Sequence, residues 1–246
     1  MGSVIAVLSG KGGTGKTTLC AGISIALACG DAQVLCIDCD VGLRNLDIPL
    51  GLGDSNALSF LDVAEGGYRL DQALCHPDYP NLHFLTAPMN LRVDQINPEA
   101  FQAMLRAARN QFDYILLDAP AGVEGGFHLA ASAADRCIVV TGSGPAAVRD
   151  AARVGQILEL AGKTDVRILV NRVDKVMLSI LDKTIDDVMD ESGLPLIGVV
   201  LEDPDVPMAA AEGKSLLAYH KRSATVKAYH RIARRIQGYP EPIKIR

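Results

Sequence analysis

A glycine-rich segment near the N-terminus constrains the fold of this chain more than any other feature of its sequence. Residues 10–17 fit the phosphate-binding loop pattern G-x-x-x-x-G-K-[ST]. An apolar run at residues 4–8 precedes the segment, and a helix-like stretch from Lys16 to Ala28 follows it. In such a strand–loop–helix unit, the loop N–H groups and the helix N-terminus bind a phosphate group. The pattern therefore predicts an α/β fold that binds a nucleotide.

The residue types of this segment suit a nucleoside triphosphate. Glycines let the backbone approach a phosphate where a Cβ atom would clash. The Lys16 ammonium would reach the β- and γ-phosphates, and the Thr17 hydroxyl would hold Mg²⁺. The predicted cofactor-binding residues of the loop are Gly10, Lys11, Gly12, Gly13, Thr14, Gly15, Lys16, Thr17 and Thr18. The predicted cofactors are a nucleotide and Mg²⁺.

Lys11 is a second lysine, which a phosphate-binding loop does not require. One interpretation is a solvent-exposed loop lysine. The other is a cation that stabilises charge on the transferred phosphoryl group. The geometry of a tight loop makes contact with its own nucleotide difficult, so Lys11 would act on the nucleotide of a partner chain, as an arginine finger in trans does. This second interpretation predicts a dimer and makes Lys11 catalytic together with Lys16.

A competing motif overlaps the same glycines. Gly10–Gly15 also fits the dinucleotide pattern G-x-G-x-x-G, and Asp38 ends the next apolar run where a ribose-binding acid would lie. The Lys16-Thr17 pair directly after the last glycine favours the phosphate-binding loop. Asp118 favours it too, because an acid at the end of a later strand would hold Mg²⁺, although a lone strand-end aspartate can also simply form a turn.

Composition narrows the class of protein. The chain has 246 residues, of which 49% are hydrophobic and 22% charged, and this is enough for one domain with a substantial core. No apolar run reaches the ~18 residues of a membrane span. The N-terminus lacks the basic region before an apolar segment that marks a signal peptide. We expect a cytoplasmic protein with an ATPase domain at residues 1–237 and a short tail at residues 238–246.

Cysteine and charge patterns add two weaker indications. Cys36 and Cys39 form one C-x-x-C pair among six cysteines, and without a second pair this favours buried thiols over a metal or redox site. From Lys214 to Arg246 the chain has nine basic residues and one acid, Glu241, although its formal net charge is −5. This asymmetry indicates either a basic surface for an anionic partner or a solvated helix face.

Apolar runs alternate with helix-like stretches along the chain. The predicted strands are residues 4–8, 34–38, 82–86, 114–118, 137–141, 168–170 and 197–201. The predicted helices are residues 17–28, 56–64, 98–110, 146–161, 183–191 and 224–236. The alternation and the near-continuous apolar strands predict a doubly wound, mostly parallel sheet with helices on both faces.

Several segments together resemble the MinD/ParA superfamily of P-loop ATPases. Residues 10–18 resemble its deviant Walker A loop, and residues 38–47, 116–124 and 148–150 extend the match over nearly the whole chain. The run Gly42–Asp47 resembles the MinD branch more than the ParA branch. The resemblance implies an ATP-hydrolysing switch that dimerises on ATP, with the first loop lysine reaching across the dimer. It also implies reversible binding to the inner face of the cell membrane and positioning of a cell-division inhibitor.

The resemblance assigns roles outside the loop as well. It implies that Asp38 lies near Mg²⁺ and that Asp40 positions the attacking water; the alternative is that one of them only caps the following turn. It also implies that residues 120–122 form the second switch, where a backbone N–H senses the γ-phosphate. Arg149 and Asp150 would lie at the dimer interface, or form an ordinary pair on a helix surface.

A second group of residues is predicted to bind the base. An amide offers both a donor and an acceptor, which suits the edge of adenine, and the resemblance supports ATP over GTP. Residues 171–174 differ from the guanine motif N-K-x-D by an arginine in place of the lysine. The loop at residues 202–204 resembles the one that closes over the base, although Leu201 stands where many relatives have proline. The candidate base-binding residues are Asn171, Arg172, Glu202, Asp203 and Pro204.

The C-terminal region bears on the choice of partners. The amphipathic helix at residues 224–236 is predicted to pack on the domain. The remaining segment has two prolines and two isoleucines, and it departs from the amphipathic membrane helix of MinD proteins. Residues 243–246 could contact lipid weakly, and a dimer would double that contact. The expected partners are a second copy, proteins of the MinC and MinE type, and an anionic membrane surface.

Two further functions are compatible with these features. In a ParA-like DNA-segregation ATPase, the basic C-terminal helix would bind DNA phosphates. In a MinD-like regulator, the same switch would position another assembly, such as a flagellum or a secretion machine.

Overall fold

Eight strands form one sheet, and helices cover both of its faces. The computed structural model describes residues 1–89, 91–180 and 182–243. The described strands are β1 (Ser3–Leu8), β2 (Val34–Asp38), β3 (Leu74–Cys75), β4 (Leu82–Leu85), β5 (Tyr114–Asp118), β6 (Arg136–Thr141), β7 (Asp165–Val173) and β8 (Leu196–Leu201). Their order across the sheet is β3-β4-β2-β5-β1-β6-β7-β8, and all neighbours are parallel except β3 and β4.

The helices connect these strands and enclose two apolar layers. The described helices are α1 (Lys16–Ala28), α2 (Asp47–Leu50), α3 (Phe60–Ala64), α4 (Pro98–Ala108), α5 (Gly125–Ala133), α6 (Pro145–Leu160), α7 (Lys175–Ile180), α8 (Ile185–Ser192), α9 (Asp205–Ala211), α10 (Leu216–Tyr219) and α11 (Ala224–Ile236). Residues of α1 and α11 bury one face of the sheet, and residues of α4, α5 and α6 bury the other. The predicted doubly wound, mostly parallel fold is confirmed.

Helix α11 packs directly on α1. A Cβ atom at Gly22 of α1 would lie 2.2 Å from the ring of Tyr229, so only glycine permits this contact. Tyr229 itself is almost fully buried. The contact fixes α11 beside the helix that follows the phosphate-binding loop.

Several predicted elements differ from the structure. The helix predicted at residues 56–64 begins at Phe60, because the Ser59 hydroxyl accepts a hydrogen bond from the Asp62 N–H and caps it. The pattern does not predict α5, whose first two residues are glycines and therefore poor helix formers. It also misses the two-residue β3 and the short helices α2, α7, α9 and α10, which are too brief to show a period.

Strand β7 continues beyond its predicted end at residue 170. Its register against β8 shifts between Val170 and Val173, and Arg172 has a φ of +55°. A left-handed conformation costs a non-glycine residue roughly 1–2 kcal/mol. Such a bulge redirects the side chains at the end of a strand. Asn171 and Arg172 therefore lie within the strand and not after it.

The segment after α11 folds back over that helix. The Tyr239 N–H donates to the Arg234 carbonyl at 2.9 Å, and the Arg234 guanidinium lies over the Tyr239 ring, 4.9 Å from its centre. Arg234 Nε also pairs with Glu241 Oε1 at 2.5 Å. Arg235 donates to the carbonyls of Glu241 and Ile197 at 3.0 and 2.6 Å. These contacts hold the segment to Ile243 against α11 and β8.

Two further points concern the predicted membrane contact. Lys244, Ile245 and Arg246, which that prediction includes, lie outside the described residues. Across the described part of the chain, no helix has both the length and the apolar character that crossing a bilayer demands.

Candidate nucleotide-binding site

The carboxyl ends of three strands bring the phosphate-binding loop and two carboxylates to one edge of the sheet. Asp38 of β2 and Asp118 of β5 are direct neighbours in the strand register. β1 lies on the other side of β5 and leads into the loop. α1 begins at Lys16, directly after the loop, so its N-terminus opens at the same edge. Ligands of open α/β sheets bind at this kind of edge.

Glycines and the β7 bulge together set the shape of the loop. Gly13 and Gly15 have φ angles of +78° and +82°. A Cβ atom at Gly15 would lie 2.4 Å from Nδ2 of Asn171. Asn171 Nδ2 donates to the Thr14 carbonyl at 2.8 Å, and Arg172 Nη1 donates to the Gly13 carbonyl at 3.4 Å. The two β7 residues therefore brace the loop from one side.

Lys16 and Asp118 form a buried ion pair below the loop. Lys16 Nζ donates to Asp118 Oδ1 at 2.9 Å, and the side chains are only 6% and 1% exposed. Burial alone would lower the pKa of Lys16, but the Asp118 carboxylate outweighs it and the net shift is upward. Burial raises the pKa of Asp118 above its ordinary value, against the opposing effect of Lys16. The pair therefore places both charges at the position predicted for phosphate and Mg²⁺.

The second oxygen of Asp118 suits a metal-bound water. Asp118 Oδ2 is buried and has no hydrogen-bond partner among the described residues. Nor do those residues contain a cluster of three His, Cys, Asp or Glu side chains that could hold a metal ion. Mg²⁺ characteristically takes one or two protein ligands, with waters and phosphate oxygens completing its shell. Asp118 and Thr17 fit such a site, and their metal-binding role remains a prediction.

Asp38 holds the loop that follows β2. Its Oδ1 accepts a hydrogen bond from the Asp40 N–H at 2.8 Å, and its Oδ2 accepts from the N–H groups of Asn45 and Leu46 at 3.0 and 3.1 Å. Burial and the nearby Asp118 carboxylate raise the pKa of Asp38 to about 6, although the N–H groups act against this shift. Both oxygens of Asp38 are thus occupied by backbone groups, and a contact with Mg²⁺ would have to be shared with them.

Asp40 and the second predicted switch lie beside this edge. Asp40 is half-buried; burial raises the pKa of its carboxyl, and the Lys16 ammonium acts in the opposite direction. The Gly122 N–H donates to the Ser9 carbonyl at 3.0 Å, and Gly122 has a φ of +93°. A loop attached to the strand before the phosphate-binding loop is well placed to respond to a bound nucleotide. The catalytic role of Asp40 remains a prediction.

Lys11 lies on the outer side of the loop. Its side chain is 46% exposed, and its ammonium lies 3.8 Å from Asp150 Oδ2 of α6. Ser9 Oγ donates to the Lys11 carbonyl at 3.0 Å and steadies the backbone there. The ammonium is therefore accessible to a second chain.

A cleft of about 470 Å³ opens beside the loop. The predicted residues that line it are Gly15, Thr17, Thr18, Asn171, Arg172, Glu202 and Asp203. Several predicted site residues lie outside its wall: the loop residues 10–14, Lys16, Asp38, Asp40, Asp118 and Pro204. At its rim, Arg172 donates from Nε and Nη2 to the two carboxylate oxygens of Glu202 at 2.8 and 3.2 Å. The cleft has the size expected of a small-molecule site.

Sequence reasoning missed one wall of this cleft. The additional lining residues include Gly22 and Ile25 of α1, Ile48 and Pro49 of α2, Val206 of α9, Leu216 and Leu217 of α10, and Thr225 and Tyr229 of α11. Burial and the Asp203 carboxylate raise the pKa of Tyr229, so its hydroxyl keeps its proton at neutral pH. No motif marks these positions; the one available signal was the four-residue spacing of Thr225 and Tyr229 on a helix.

Comparison with known proteins identifies the family. The model of the CobQ/CobB/MinD/ParA nucleotide binding domain matches residues 5–217. The chain belongs to this family. The predicted MinD/ParA resemblance is therefore confirmed, and with it the prediction of a nucleotide-binding P-loop ATPase.

Two relatives matched over nearly their whole length are MinD proteins. The chain is 38% identical over 244 residues to the septum site-determining protein MinD of Synechocystis, covering 98% of this chain and 92% of the relative. It is 36% identical over 249 residues to the protein of the same name from Bacillus subtilis, covering 100% and 92%. Similarity extends over both chains and is not confined to the loop motif.

Solved structures agree in fold. A chain of the MinC:MinD cell division protein complex of Aquifex aeolicus superposes with a TM-score of 0.90 at 34% identity, covering 98% of both chains. The septum site-determining protein MinD of Pyrococcus horikoshii, complexed with Mg-ADP, gives a TM-score of 0.84 at 28% identity, covering 96% of both chains. The sheet and its helices therefore follow the MinD arrangement throughout.

Proposed function

We propose that this chain is a MinD-type switch that binds ATP with Mg²⁺, dimerises on ATP, and helps to determine the site of the division septum. One observation carries the proposal: relatives matched over nearly the whole chain are septum site-determining proteins, at 36–39% identity. A loop motif alone would not distinguish this function from those of other P-loop ATPases. Hydrolysis resets the switch.

The site geometry supports the nucleotide and the metal. The loop, the N-terminus of α1, and the Lys16–Asp118 pair converge where a polyphosphate would lie. An incoming phosphate would compete with Asp118 for the Lys16 ammonium and leave the carboxylate to a metal-bound water. Asp40 positions the attacking water, and Lys11 reaches the nucleotide of the second copy. The Mg-ADP complex of the Pyrococcus horikoshii relative supports the same cofactor pair.

The comparisons support one of the proposed partners. The MinC:MinD complex of Aquifex aeolicus supports a MinC-type protein. We propose in addition that a MinE-type protein stimulates hydrolysis. The ATP dimer binds reversibly to the inner face of the cell membrane, through the C-terminal tail and the basic surface of α11. Release after hydrolysis returns the chain to the cytoplasm.

Co-sedimentation with vesicles tests this proposal. The full chain is incubated with phosphatidylglycerol vesicles in the presence of ATP or ADP, and light scattering reports its mass in parallel. Dimers and vesicle binding in ATP alone support the proposal. A chain that stays monomeric with both nucleotides refutes the ATP-dependent dimerisation. Dimers that form with ATP but do not bind the vesicles refute only the membrane binding.

The basic C-terminal region favours a second candidate function, ATP-dependent binding to DNA. Lys227 and Arg234 of α11 are exposed, and Lys221 and Arg222 precede the helix on the surface. Each phosphate neutralised by such a cation releases a counterion, so affinity falls steeply with salt. Duplex binding that requires ATP and weakens between about 50 and 200 mM salt, without vesicle binding, would replace the septum proposal with this one.

A further inference from the structure

Two residues of α11 that line the nucleotide cleft carry hydroxyl groups with no hydrogen-bond partner in the described part of the chain. Thr225 is 1% exposed, and its Oγ1 has no hydrogen-bond partner among residues 1–89, 91–180 and 182–243. Tyr229 is 2% exposed, and no described residue forms a hydrogen bond with its hydroxyl. Both residues line the cleft. They are one helical turn apart and thus share a face of α11.

An unpaired hydroxyl at such depth requires an explanation. Buried polar side chains in folded proteins nearly always have a hydrogen-bond partner, and the exceptions commonly await a ligand or a water. A threonine within a helix often bonds the carbonyl one turn before it. Thr225 has no such option, because it is the second residue of α11 and the preceding turn is not helical. Its hydroxyl is available for a group inside the cleft after rotation about the Cα–Cβ bond.

The position of the two hydroxyls determines which part of a ligand they meet. Under the proposed function, the phosphate-binding loop and the N-terminus of α1 would hold the phosphates at the end of the cleft lined by Gly15, Thr17 and Thr18. Asn171 lies beside the loop, whereas Thr225 and Tyr229 belong to the inner wall with Gly22 and Leu217. That wall is otherwise largely apolar. The part of a nucleotide that extends from the loop to this wall is the nucleoside.

We propose that Thr225 and Tyr229 are nucleoside-binding residues whose hydroxyls hydrogen-bond the purine base of bound ATP. This inference rests on the proposed ATP switch and adds a base contact that lies outside the loop, Asn171 and the 202–204 segment. A hydroxyl can donate and accept, so the pair adds affinity for the base, while Asn171 distinguishes adenine from guanine. The Tyr229 ring is already fixed by its contact with Gly22, which places its hydroxyl in advance.

Calorimetric titration of the full chain tests the inference. The ligands are ATP, GTP and tripolyphosphate, each with Mg²⁺; tripolyphosphate carries no base. The variants are Thr225→Val, Tyr229→Phe and their combination, which keep shape and remove hydroxyls. Thr86→Val is the matched control, because Thr86 is also buried with an unpartnered Oγ1 in the described chain but lies outside the cleft.

Loss of one hydrogen bond corresponds to an affinity change of about three- to tenfold. We expect each single variant to bind ATP that much more weakly and the double variant to bind it about 30-fold more weakly. Tripolyphosphate affinity should not change, Thr86→Val should match the unsubstituted chain, and Thr225→Ser should restore binding. If Thr225→Val does not fold, Thr225→Ala provides the same comparison.

Three results are distinguishable. A folded double variant with unchanged ATP affinity overturns the inference. An equal loss for ATP and tripolyphosphate also overturns it, because the substitutions would then act through the loop. An unsubstituted chain that binds no ATP refutes the proposed function itself, before the α11 residues are tested.

Discussion

Lys11 of the phosphate-binding loop is paired within its own chain with Asp150 of α6, at 3.8 Å between Nζ and Oδ2. The backbone contributes to this proximity, since a Cβ atom at Gly10 would lie 3.0 Å from Asp150. Both side chains are about half exposed, so the ion pair is weak and readily exchanged. In a single chain, Lys11 is thus paired with α6. On dimerisation, the lysine could leave this pair and contact the second copy.

This relationship predicts a specific defect for Lys11→Ala. The variant should bind ATP as a monomer but hydrolyse it at least 100-fold more slowly, since a cation supplied in trans contributes roughly 10³–10⁵ in rate. Phosphate release measures the rate of hydrolysis, and light scattering measures whether the variant is a monomer or a dimer. Arg69→Ala serves as the control, because it also removes one exposed, ion-paired basic side chain but lies outside the phosphate-binding loop. Normal turnover by a Lys11→Ala dimer would refute the action in trans.

The Lys16–Asp118 pair predicts strong coupling in stability. Removing one partner leaves an unpaired buried charge, which costs about 3–5 kcal/mol. We expect Lys16→Met and Asp118→Leu each to lower the free energy of unfolding by about that amount in urea titrations. The double variant should lose clearly less than the two single losses combined. Additive losses would show that the two groups do not interact.

The orientation of Asn171 predicts preference for adenine. Its Nδ2 is held by the Thr14 carbonyl, which leaves Oδ1 as an acceptor and the second N–H as a donor. The adenine N6 amino group can donate to Oδ1, and adenine N7 can accept from the second N–H. In guanine, the O6 atom would face Oδ1, and both are acceptors. Asn171→Ala should therefore reduce the ATP-to-GTP affinity ratio by about tenfold. A uniform loss for both nucleotides would indicate that Asn171 only braces the loop.

Asp38 predicts a measurable titration. Its pKa in the folded chain is about 6, raised from 3.8 by burial and by Asp118. The folded state therefore binds this proton more tightly than the unfolded state. The protonated carboxyl therefore contributes to the free energy of unfolding below about pH 4, and this contribution is lost as the pH rises through about 6. Carboxyl ¹³C shifts should show a midpoint near 6, which Asp118→Asn lowers; a midpoint near 4 would contradict the shift.

The elements that sequence predicted accurately are those with strong local signals. The bounds of β2, β5 and α11 agree with residues 34–38, 114–118 and 224–236, because each apolar pattern ends at polar or capping residues. Asn97 caps α4 as its position before Pro98 indicates. The position of the phosphate-binding loop between β1 and α1 belongs to this class too, since its glycine spacing is a local sequence pattern, while its binding role remains a prediction.

The elements that it missed depend on distant contacts. Asn171 reaches the loop only because β7 bulges against β8. The sequence near position 171 contains no pattern that predicts this bulge. The inner wall of the cleft comes from α10 and α11, which pack on α1, and from α9, which packs on α2 and α10. The motif residues of the candidate site were therefore predictable, whereas the wall that would contact the nucleoside was not.

If the proposed membrane contact exists, the tail predicts a specific effect of Glu241 on lipid binding. Glu241 is the one acid between Lys214 and Arg246, and it pairs with Arg234 while Tyr239 and Ile243 stay about half exposed. Glu241→Gln frees Arg234 and removes one negative charge beside these apolar side chains. Each basic charge near an anionic surface contributes about 1 kcal/mol, so phosphatidylglycerol binding should strengthen about fivefold per chain.

Glu212→Gln is the matched control for this prediction, because Glu212 also pairs with a surface lysine, Lys214, at 2.9 Å. It removes the same charge away from the tail and should change binding less. The gain from Glu241→Gln should require ATP, since a dimer doubles the contact, and it should shrink at high salt. Equal gains from both substitutions would mean that net charge alone governs binding, and the contact between Glu241 and Arg234 would then have no part in restraining the tail.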